Sequence, residues 1–373
     1  MIRLLHTADL QIGKTFHWVD ERNRALLREQ RLTSIKVICD LATSKEHPVD
    51  VVLIAGDFFD SNSVEERDVV QACERLRSLP CPVVIIPGNH DNGGPDSVFR
   101  SPRWLRNCPD GVDVALDTNP RVLLEGRLVV LPAPLLQRHE VGAVTDSWCA
   151  EDGAEFEGAV RVGLAHGSVH GFDSETELRN EVKLEVVAGA RLDYLAIGDW
   201  HGTLSTQDPR AWYSGTPEPD RFKDNDSGNV LRVEIDAPGA MPRVEKIDVC
   251  QSRWVMHQAD LGGSDDVAAM QAWFQELPAD SLVRLEHAGT LSLTELEEYE
   301  QVLADARGRL LHLRLRGPGI VPEPSEDELV AIATEGYVKT AVDRLLEAGQ
   351  GSESTREADA LQLLHRLHTQ TQS

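Results

Sequence analysis

No two cysteines in the chain are spaced as C-x-x-C. The six present, Cys39, Cys73, Cys81, Cys108, Cys149 and Cys250, are scattered, which argues against both a zinc finger and a disulfide framework. There is also no run of about 18 apolar residues, the least that spans a membrane, and the opening segment carries Arg3, His6 and Asp9 inside its apolar stretch. Neither a membrane span nor a signal peptide is expected, and the cytoplasm is the expected compartment. Positive charge is scarce too: 37 Lys and Arg stand against 62 Asp and Glu, a formal net charge of −25. Such a chain exerts no broad attraction on a polyanion, so a nucleic-acid partner must be gripped locally or with help.

Apolar material, by contrast, is sufficient for more than one core. Of the 373 residues 41% are hydrophobic, and the length predicts about two domains. Bursts of strand length recur through the first two thirds, IRLLHTA, VDVVLIAG, PVVIIPG, RLVVLPAP, VRVGLAHG and LDYLAIGD, each closing near a Gly, a Pro or an acid. Between the early bursts the spacing predicts helices. Leu27, Ile35, Ile38, Leu41 and Ala42 fall near one face between Arg22 and about Lys45, and Val69, Cys73 and Leu76 do so between Glu65 and Leu79. Strand, helix, strand order implies a sheet flanked by helices, an α/β fold. NVLRVEID and MPRVEKIDV read as a hairpin joined through Pro238 and Gly239, which sets a boundary near residue 250. Beyond it SLVRLEHAG, LSLTELEEYEQVLADARG and LLHLRLRG form a strand, helix, strand unit. VPEPSEDEL then reads as a linker into two amphipathic pieces split by GQGSES. The expected organisation is a main domain over 1–250, a smaller one over 251–321 and a helical tail over 322–373 that docks on something.

Strand after strand in this reading ends in a side chain able to hold a metal. Asp9 and Gln11 follow the first, Asp57 lies in AGDFFD, Asn89 and His90 in PGNHD, His166 in AHGS, and Asp199 and His201 in GDWHG. In α/β sheets ligands gather beyond the carboxyl ends of the strands. Taken singly each residue has a plainer role: Asp9 as a helix N-cap, Asn89 as a turn residue, His166 as a hydrogen-bonded core histidine. A carboxylate, amide or imidazole at the same point of so many strand-loop units is hard to obtain by chance, and together they predict one shared metal site. The donor set suits divalent manganese or iron, with magnesium and zinc as alternatives. A bridging carboxylate would hold two ions about 3.5–4 Å apart, a pair that activates water and neutralises a phosphate.

In this order D-x-Q, GD-x-x-D, GNHD, HG and G-x-x-H resemble the motifs of the calcineurin-like metallophosphoesterase superfamily, and more narrowly its DNA repair exonuclease branch, the SbcD-like and YhaO-like proteins. WYSGTPEPDRF is similar to the YSG-type stretch those exonucleases carry after their last histidine. The resemblance implies a two-sheet β-sandwich flanked by helices, followed by a small α/β capping domain and a C-terminal helical tail. It implies hydrolysis of phosphodiester bonds by a two-metal-activated water. Asp57 would bridge both ions, Asp9, Gln11 and His201 would complete one site, and Asn89, His166 and Asp199 the other. His90 would stand beside the scissile phosphate and stabilise or protonate the leaving oxygen, with Asp91 orienting it.

Two positions depart from the family pattern: Gln11 stands where D-x-H has its histidine, and Asp199 where G-H-x-H has its first. Both exchange nitrogen for oxygen. Gln11 is therefore expected to ligate through its amide oxygen and Asp199 to add a negative charge, which biases the site toward harder ions such as manganese over zinc. Asp60 is either a supporting carboxylate or a capping acid, and His17 and His170 have no assigned part.

Which phosphoester is cleaved depends on the surroundings of the site. Arg100, Arg103 and Arg106 recur every third residue around Trp104, a candidate substrate-binding face with an aromatic for base stacking. A solvated helix face with Trp104 in the core is the plainer reading. Arg22, Arg24, Arg28 and Arg31 make a weaker patch, diluted by Glu21 and Glu29. Against the acidic total, such clusters fit an enzyme that holds DNA together with a partner. The resemblance implies an SbcC-like coiled-coil ATPase as that partner, and a homodimer. Three readings stand: a DNA exonuclease or endonuclease subunit in repair, favoured by the appended C-terminal residues; a phosphodiesterase or phosphatase acting on a smaller phosphoester; and a catalytically weakened binding scaffold.

Overall fold

The computed structural model describes residues 1–148, 156–169, 180–325, 327–329, 337–349, 360, 362–364 and 367; Cys149, His170 and the GQGSES loop beyond Gly349 lie outside them. The chain divides into two units, Met1–Ser252 and Arg253–Ser373.

In the first unit all six apolar bursts are strands. The order is β1 (Ile2–Thr7), α1 (Glu21–Ala42), β2 (Val51–Ala55), α2 (Glu66–Leu76), β3 (Val83–Ile86), α3 (Pro102–Asn107), β4 (Val112–Val114), β5 (Arg121–Leu123), β6 (Leu128–Ala133) and β7 (Val160–His166). It continues through β8 (Ser168–Val169), β9 (Glu181–Val182), α4 (Glu185–Gly189), β10 (Tyr194–Gly198), β11 (Leu204–Ser205), β12 (Ala211–Tyr213), β13 (Asn229–Ile235) and β14 (Arg243–Asp248). Two six-stranded sheets result, in the orders β14-β13-β1-β2-β3-β4 and β11-β12-β10-β7-β6-β5. Within the first, β1 to β4 run parallel, and the expected hairpin β13-β14 joins antiparallel at β1. In the second, β12, β10, β7 and β6 run parallel.

The central strands β2, β3, β6, β7 and β10 are apolar at nearly every position because both of their faces are covered. Successive side chains then sort to opposite faces. Leu4, Val51, Leu53, Ala55, Val84 and Ile86 meet Leu128, Val130, Val162, Leu164 and Ala196 between the two sheets. Leu5, Val52, Ile54, Val83 and Ile85 turn outward onto Ile35 and Ile38 of α1 and Val69 and Cys73 of α2. Val129, Leu131, Leu195 and Ile197 cover the far side with Val187 and Leu192. Each large aliphatic so buried contributes about 1.5–3 kcal/mol. The result is a sandwich of two sheets flanked by helices. α1 begins where the Asp20 carboxylate accepts the Asn23 N–H (3.1 Å), as an N-cap should.

The second unit is built on three parallel strands, β15 (Arg253–Leu261), β16 (Ser281–Leu291) and β17 (His312–Pro322), with α5 (Ser264–Glu276) and α6 (Leu293–Arg309). The strand, helix, strand unit of the sequence is β16-α6-β17; β15 and α5 precede it and were not legible in the pattern. Ser292 and Glu295 form a full capping box at the start of α6. Part of the tail packs inside this unit: Glu328 accepts the backbone N–H groups of Thr294 (2.8 Å) and Leu293 (3.2 Å), and Leu329, Val342, Leu345 and Leu364 cluster with Leu293. Val342 and Leu345 belong to a helix over Tyr337–Gly349. Among the described residues no helix is long and apolar enough to cross a membrane.

Candidate metal centre

The carboxyl ends of the parallel strands of both sheets converge on one point. After β1 and β2 the two loops stay paired through Asp9 N–H to Gly56 O (3.1 Å), Gln11 N–H to Asp57 O (2.9 Å) and Ile12 N–H to Phe58 O (2.9 Å). The second sheet is tied in by Asp199 N–H donating to Asp9 Oδ2 (3.1 Å) and by His166 Nδ1–H donating to Ala55 O (2.8 Å). Four residues here hold positive φ without being glycine: Asp9 (56°), Gln11 (44°), Asp57 (51°) and Asp199 (97°). Such conformations cost roughly 1–3 kcal/mol each and persist where surroundings over-determine them, commonly at functional sites. Gly88 and Gly56 are required by close approach: a Cβ on Gly88 would overlap the Asp57 carboxylate and sit 2.5 Å from its backbone N, and one on Gly56 would overlap the His166 ring.

Asp9, Asp57 and His166 each present a ligand atom within 4.8 Å of the other two, and all three are buried. Around them, His166 Nε2 lies 2.8 Å from Asn89 Oδ1, 3.6 Å from Asp57 Oδ1 and 3.7 Å from Asp199 Oδ1. Because Nδ1–H is committed to the Ala55 carbonyl, a neutral ring would set its Nε2 lone pair against an amide oxygen and two carboxylates. Asp9 is 0% exposed, and its Oδ1 has no hydrogen-bond partner. Burial pushes the Asp9 carboxyl up to about 6, with the charges of Asp57 and Asp199 adding to the effect and His201 and His166 opposing it. Burial works against a charged His166, yet the carboxylates of Asp57, Asp9 and Asp199 and the Ala55 carbonyl carry the ring up to about 9. An orphaned buried carboxylate oxygen, and an imidazole that takes a proton against its burial, mark a place short of positive charge. The donors fit a divalent cation with a taste for oxygen.

The other predicted ligands are arranged differently. Gln11, 1% exposed, turns its Oε1 to the Lys14 ammonium (2.6 Å), and its Nε2 lies 3.4 Å from His201 Nε2. The oxygen that Gln11 was expected to present to a metal is here engaged by a lysine from the same loop. His201 Nε2 is 3.7 Å from Asp9 Oδ1, and its Nδ1–H donates to Asp220 (3.0 Å), a nearly buried carboxylate that also meets Lys14 Nζ (3.0 Å) and Arg221 Nε (3.0 Å). Burial opposes ionisation of Asp220, but the His201 ring, Arg221 and Arg31 hold it far below the usual carboxylate range. Lys14 and Asp220 were missed by the sequence reading. Asp220 stands in the quoted WYSGTPEPDRF, and an acid beyond the last histidine was the available signal.

His90 takes its place through two backbone contacts. Its N–H donates to Asp57 Oδ1 (2.9 Å) and its Nδ1–H to the Asp60 carbonyl (2.8 Å), which leaves Nε2 at the open side, 4.0 Å from Asp57 Oδ2. Asp91 does not orient it. The Asp91 carboxylate is buried and accepts the N–H groups of Gly88 (2.8 Å) and Phe59 (2.9 Å), stitching the GDFFD and PGNHD loops together. Burial and the Asp57 charge raise it to about 7 against those two hydrogen bonds. The orienting group is the backbone of Asp60, whose carboxylate lies 3.6 Å from Lys14.

The proposed substrate-binding arginines disperse. Trp104 is 2% exposed and packs edge-on against Phe58, Phe59 and Phe99, so it cannot stack on a base. Arg103 is half-buried on the Asn62 carbonyl and Arg100 reaches the Gly93 carbonyl, while Arg106 is exposed beside Glu66 (3.8 Å). In the weaker patch Arg31 is buried and donates to Leu10 O (2.6 Å) and Glu218 O (3.0 Å), and Arg28 pairs with Asp68 (2.8 Å). Arg31 thus braces the loop carrying Asp9. Sequence spacing could not reveal this, because the groups it holds come from distant positions. His17 is exposed.

The profile of the calcineurin-like phosphoesterase family matches residues 2–201. The chain is similar to "Uncharacterized metallophosphoesterase YhaO" of Bacillus subtilis (strain 168), 25% identical over 63% of this chain and 57% of that protein. It is also similar to "DNA double-strand break repair protein Mre11" of Aeropyrum pernix, 26% identical over 72% of this chain and 66% of that one. The match thus spans less than two thirds of the length of either relative. A crystal structure from Thermus thermophilus aligns with a TM-score of 0.42 at 12% identity, covering 66% of this chain and 99% of that one.

Proposed function

Because this chain belongs to the calcineurin-like phosphoesterase family, hydrolases of phosphoester bonds that use divalent metals, we propose that it is a metal-dependent phosphodiesterase whose substrate is DNA, acting as an exonuclease or endonuclease subunit. The carrying observation is the buried trio Asp9, Asp57 and His166, flanked by half-buried Asn89 and Asp199, with its orphaned carboxylate oxygen. A divalent ion bound there supplies Lewis acidity, polarising a phosphoryl oxygen and making water a nucleophile near neutral pH. Manganese suits the oxygen-rich donors best. The rest falls to the side chains. Asp57 fixes the His90 backbone, the Asp60 carbonyl fixes its ring, and with both ring nitrogens protonated His90 donates from Nε2 to the phosphate or to the leaving oxygen.

DNA is favoured over a small ester by the rim beside His201. Trp18, 38% exposed, leans on Phe222 (6.0 Å) and Phe16 (6.4 Å), while Arg221 lies 3.4 Å from His201 Nδ1 and Lys223 sits 3.9 Å over Trp200. Aromatic platforms interleaved with cations grip a single strand without reading its sequence. This rim replaces Trp104 and its arginines as the candidate substrate surface. The similarity to a double-strand break repair protein points the same way. We take the second unit as a capping domain and the tail as the place where a coiled-coil ATPase of the SbcC-like kind would attach, and a homodimer belongs to the same reading.

The test is digestion of end-labelled single- and double-stranded DNA by the purified chain in manganese, with Asp57→Ala as control and bis-p-nitrophenyl phosphate alongside. Manganese-dependent cutting lost in Asp57→Ala supports the reading. Turnover of the small ester alone refutes DNA as the substrate of the isolated chain and favours a smaller phosphoester, the choice the net charge of −25 would also suit.

A further inference from the structure

Four side chains on the His201 side of the centre close into a ring. Lys14 Nζ donates to Gln11 Oε1 (2.6 Å), Gln11 Nε2–H points to His201 Nε2 (3.4 Å), His201 Nδ1–H donates to Asp220 Oδ1 (3.0 Å), and Asp220 Oδ2 returns to Lys14 Nζ (3.0 Å). Each of the four contacts sets a donor against an acceptor. The His166 side is different: Nε2 has Asn89 Oδ1 at 2.8 Å and carboxylate oxygens of Asp57 and Asp199 at 3.6 and 3.7 Å, and the orphaned Asp9 Oδ1 lies 3.7 Å from His201 Nε2, outside the ring's hydrogen bonds. The ring already contains its own cation, whereas the carboxylates of Asp9, Asp57 and Asp199 gather around a single imidazole.

We propose that this protein holds one divalent ion tightly, on Asp57, Asn89, His166, Asp199 and Asp9, and that the Gln11–Lys14 pair places a protein ammonium where the two-ion arrangement would need its second cation. The inference rests on the metal-dependent reading above. For a second ion to use His201 and the Gln11 oxygen, the amide must turn over, which takes the oxygen from Lys14 and aims an NH2 group at an ammonium. It must also draw His201 Nε2 away from its donor and place a dication near Lys14. The second cation is therefore disfavoured by hydrogen bonding and by charge together. In a phosphodiester complex the ammonium does part of that ion's work, offsetting phosphate charge as a fixed point charge on the loop after β1.

The experiment is manganese binding by the metal-stripped full chain, read by calorimetry and by electron paramagnetic resonance, with Gln11→His and Lys14→Met as variants. The wild type is expected to bind one equivalent tightly, with the six-line signal of an isolated ion. A second equivalent should bind roughly 10–100-fold more weakly, the usual effect of a group behind the ligands. Gln11→His and Lys14→Met are each expected to tighten the second equivalent, and Gln11→His to give the broadened signal of two coupled ions. Two equivalents of similar affinity with a coupled signal in the wild type overturn this inference and leave the metal-dependent reading standing. No binding by the wild type overturns both. Second-ion affinity unchanged in both variants overturns the role given to Lys14.

Discussion

Asp220→Asn tests the support of His201 from outside the centre. The carboxylate receives His201 Nδ1–H (3.0 Å), Lys14 Nζ (3.0 Å) and Arg221 Nε (3.0 Å), and its side chain is 3% exposed. The amide keeps one oxygen and turns an NH2 toward either the imidazole N–H or the ammonium, donor against donor. Breaking a buried ion pair by removing one partner costs about 3–5 kcal/mol. Arg221 is 58% exposed and recovers water, so the low end, about 3 kcal/mol, applies. The pH behaviour follows from the sign of the shift. A carboxyl held far below its usual range contributes stability in full above its unfolded pKa and loses it only as pH falls below that value. The ionisation of Asp220 itself therefore adds no pH dependence between pH 6 and pH 8, and the deficit of Asp220→Asn should be present at both. Urea unfolding of the metal-stripped proteins at both values measures it. A deficit under about 0.5 kcal/mol, which is ordinary for a surface change, would refute the reasoning.

Gly88→Ala should cost at least the 1–3 kcal/mol usual for overpacking, and manganese should no longer raise the melting temperature, since the new Cβ would displace Asp57. Trp104→Ala should lose about 3–5 kcal/mol of stability as a core truncation, whereas Trp18→Ala should melt like the wild type and bind single-stranded DNA more weakly, as fluorescence anisotropy can show. Burial pushes Cys39, Cys81 and Cys108 up to about 11 and Cys73 and Cys250 up to about 12. Their thiolates, the reactive form, are therefore scarce at pH 8. No more than one of the six thiols should react quickly with a disulfide reagent at that pH, the slow ones should speed up with rising pH, and all should react after unfolding.

The first unit was legible because its information is periodic and local. Apolar bursts such as VVLIA and VVII stop where a strand stops, and a residue two or three positions past the stop, Asp57 or Asn89, falls at the carboxyl end by construction. The positions of Asp9, Asp57, Asn89, His166, Asp199 and His201 could thus be read in order along the chain. What each side chain touches could not. Gln11 meets Lys14 only because the loop after β1 turns back at positive φ, and Asp91 faces Gly88 and Phe59 rather than the neighbouring His90 because a buried carboxylate goes where two N–H groups converge. Trp104 and Arg31 misled for the same reason: regular spacing marks a face, and only packing decides whether that face meets water or core. β15 and α5 went unread because half of β15 stays exposed and polar residues interrupt it.

A metal at the Asp57 cluster is the centre of the proposed phosphodiester hydrolysis. The most direct measurement is bis-p-nitrophenyl phosphate turnover by metal-stripped protein as manganese is added, for the wild type and for Asp57→Asn. No turnover is expected without metal, recovery is expected in the wild type as manganese is added, and none in Asp57→Asn. Turnover in the stripped protein, or equal recovery in the two, would contradict the proposal.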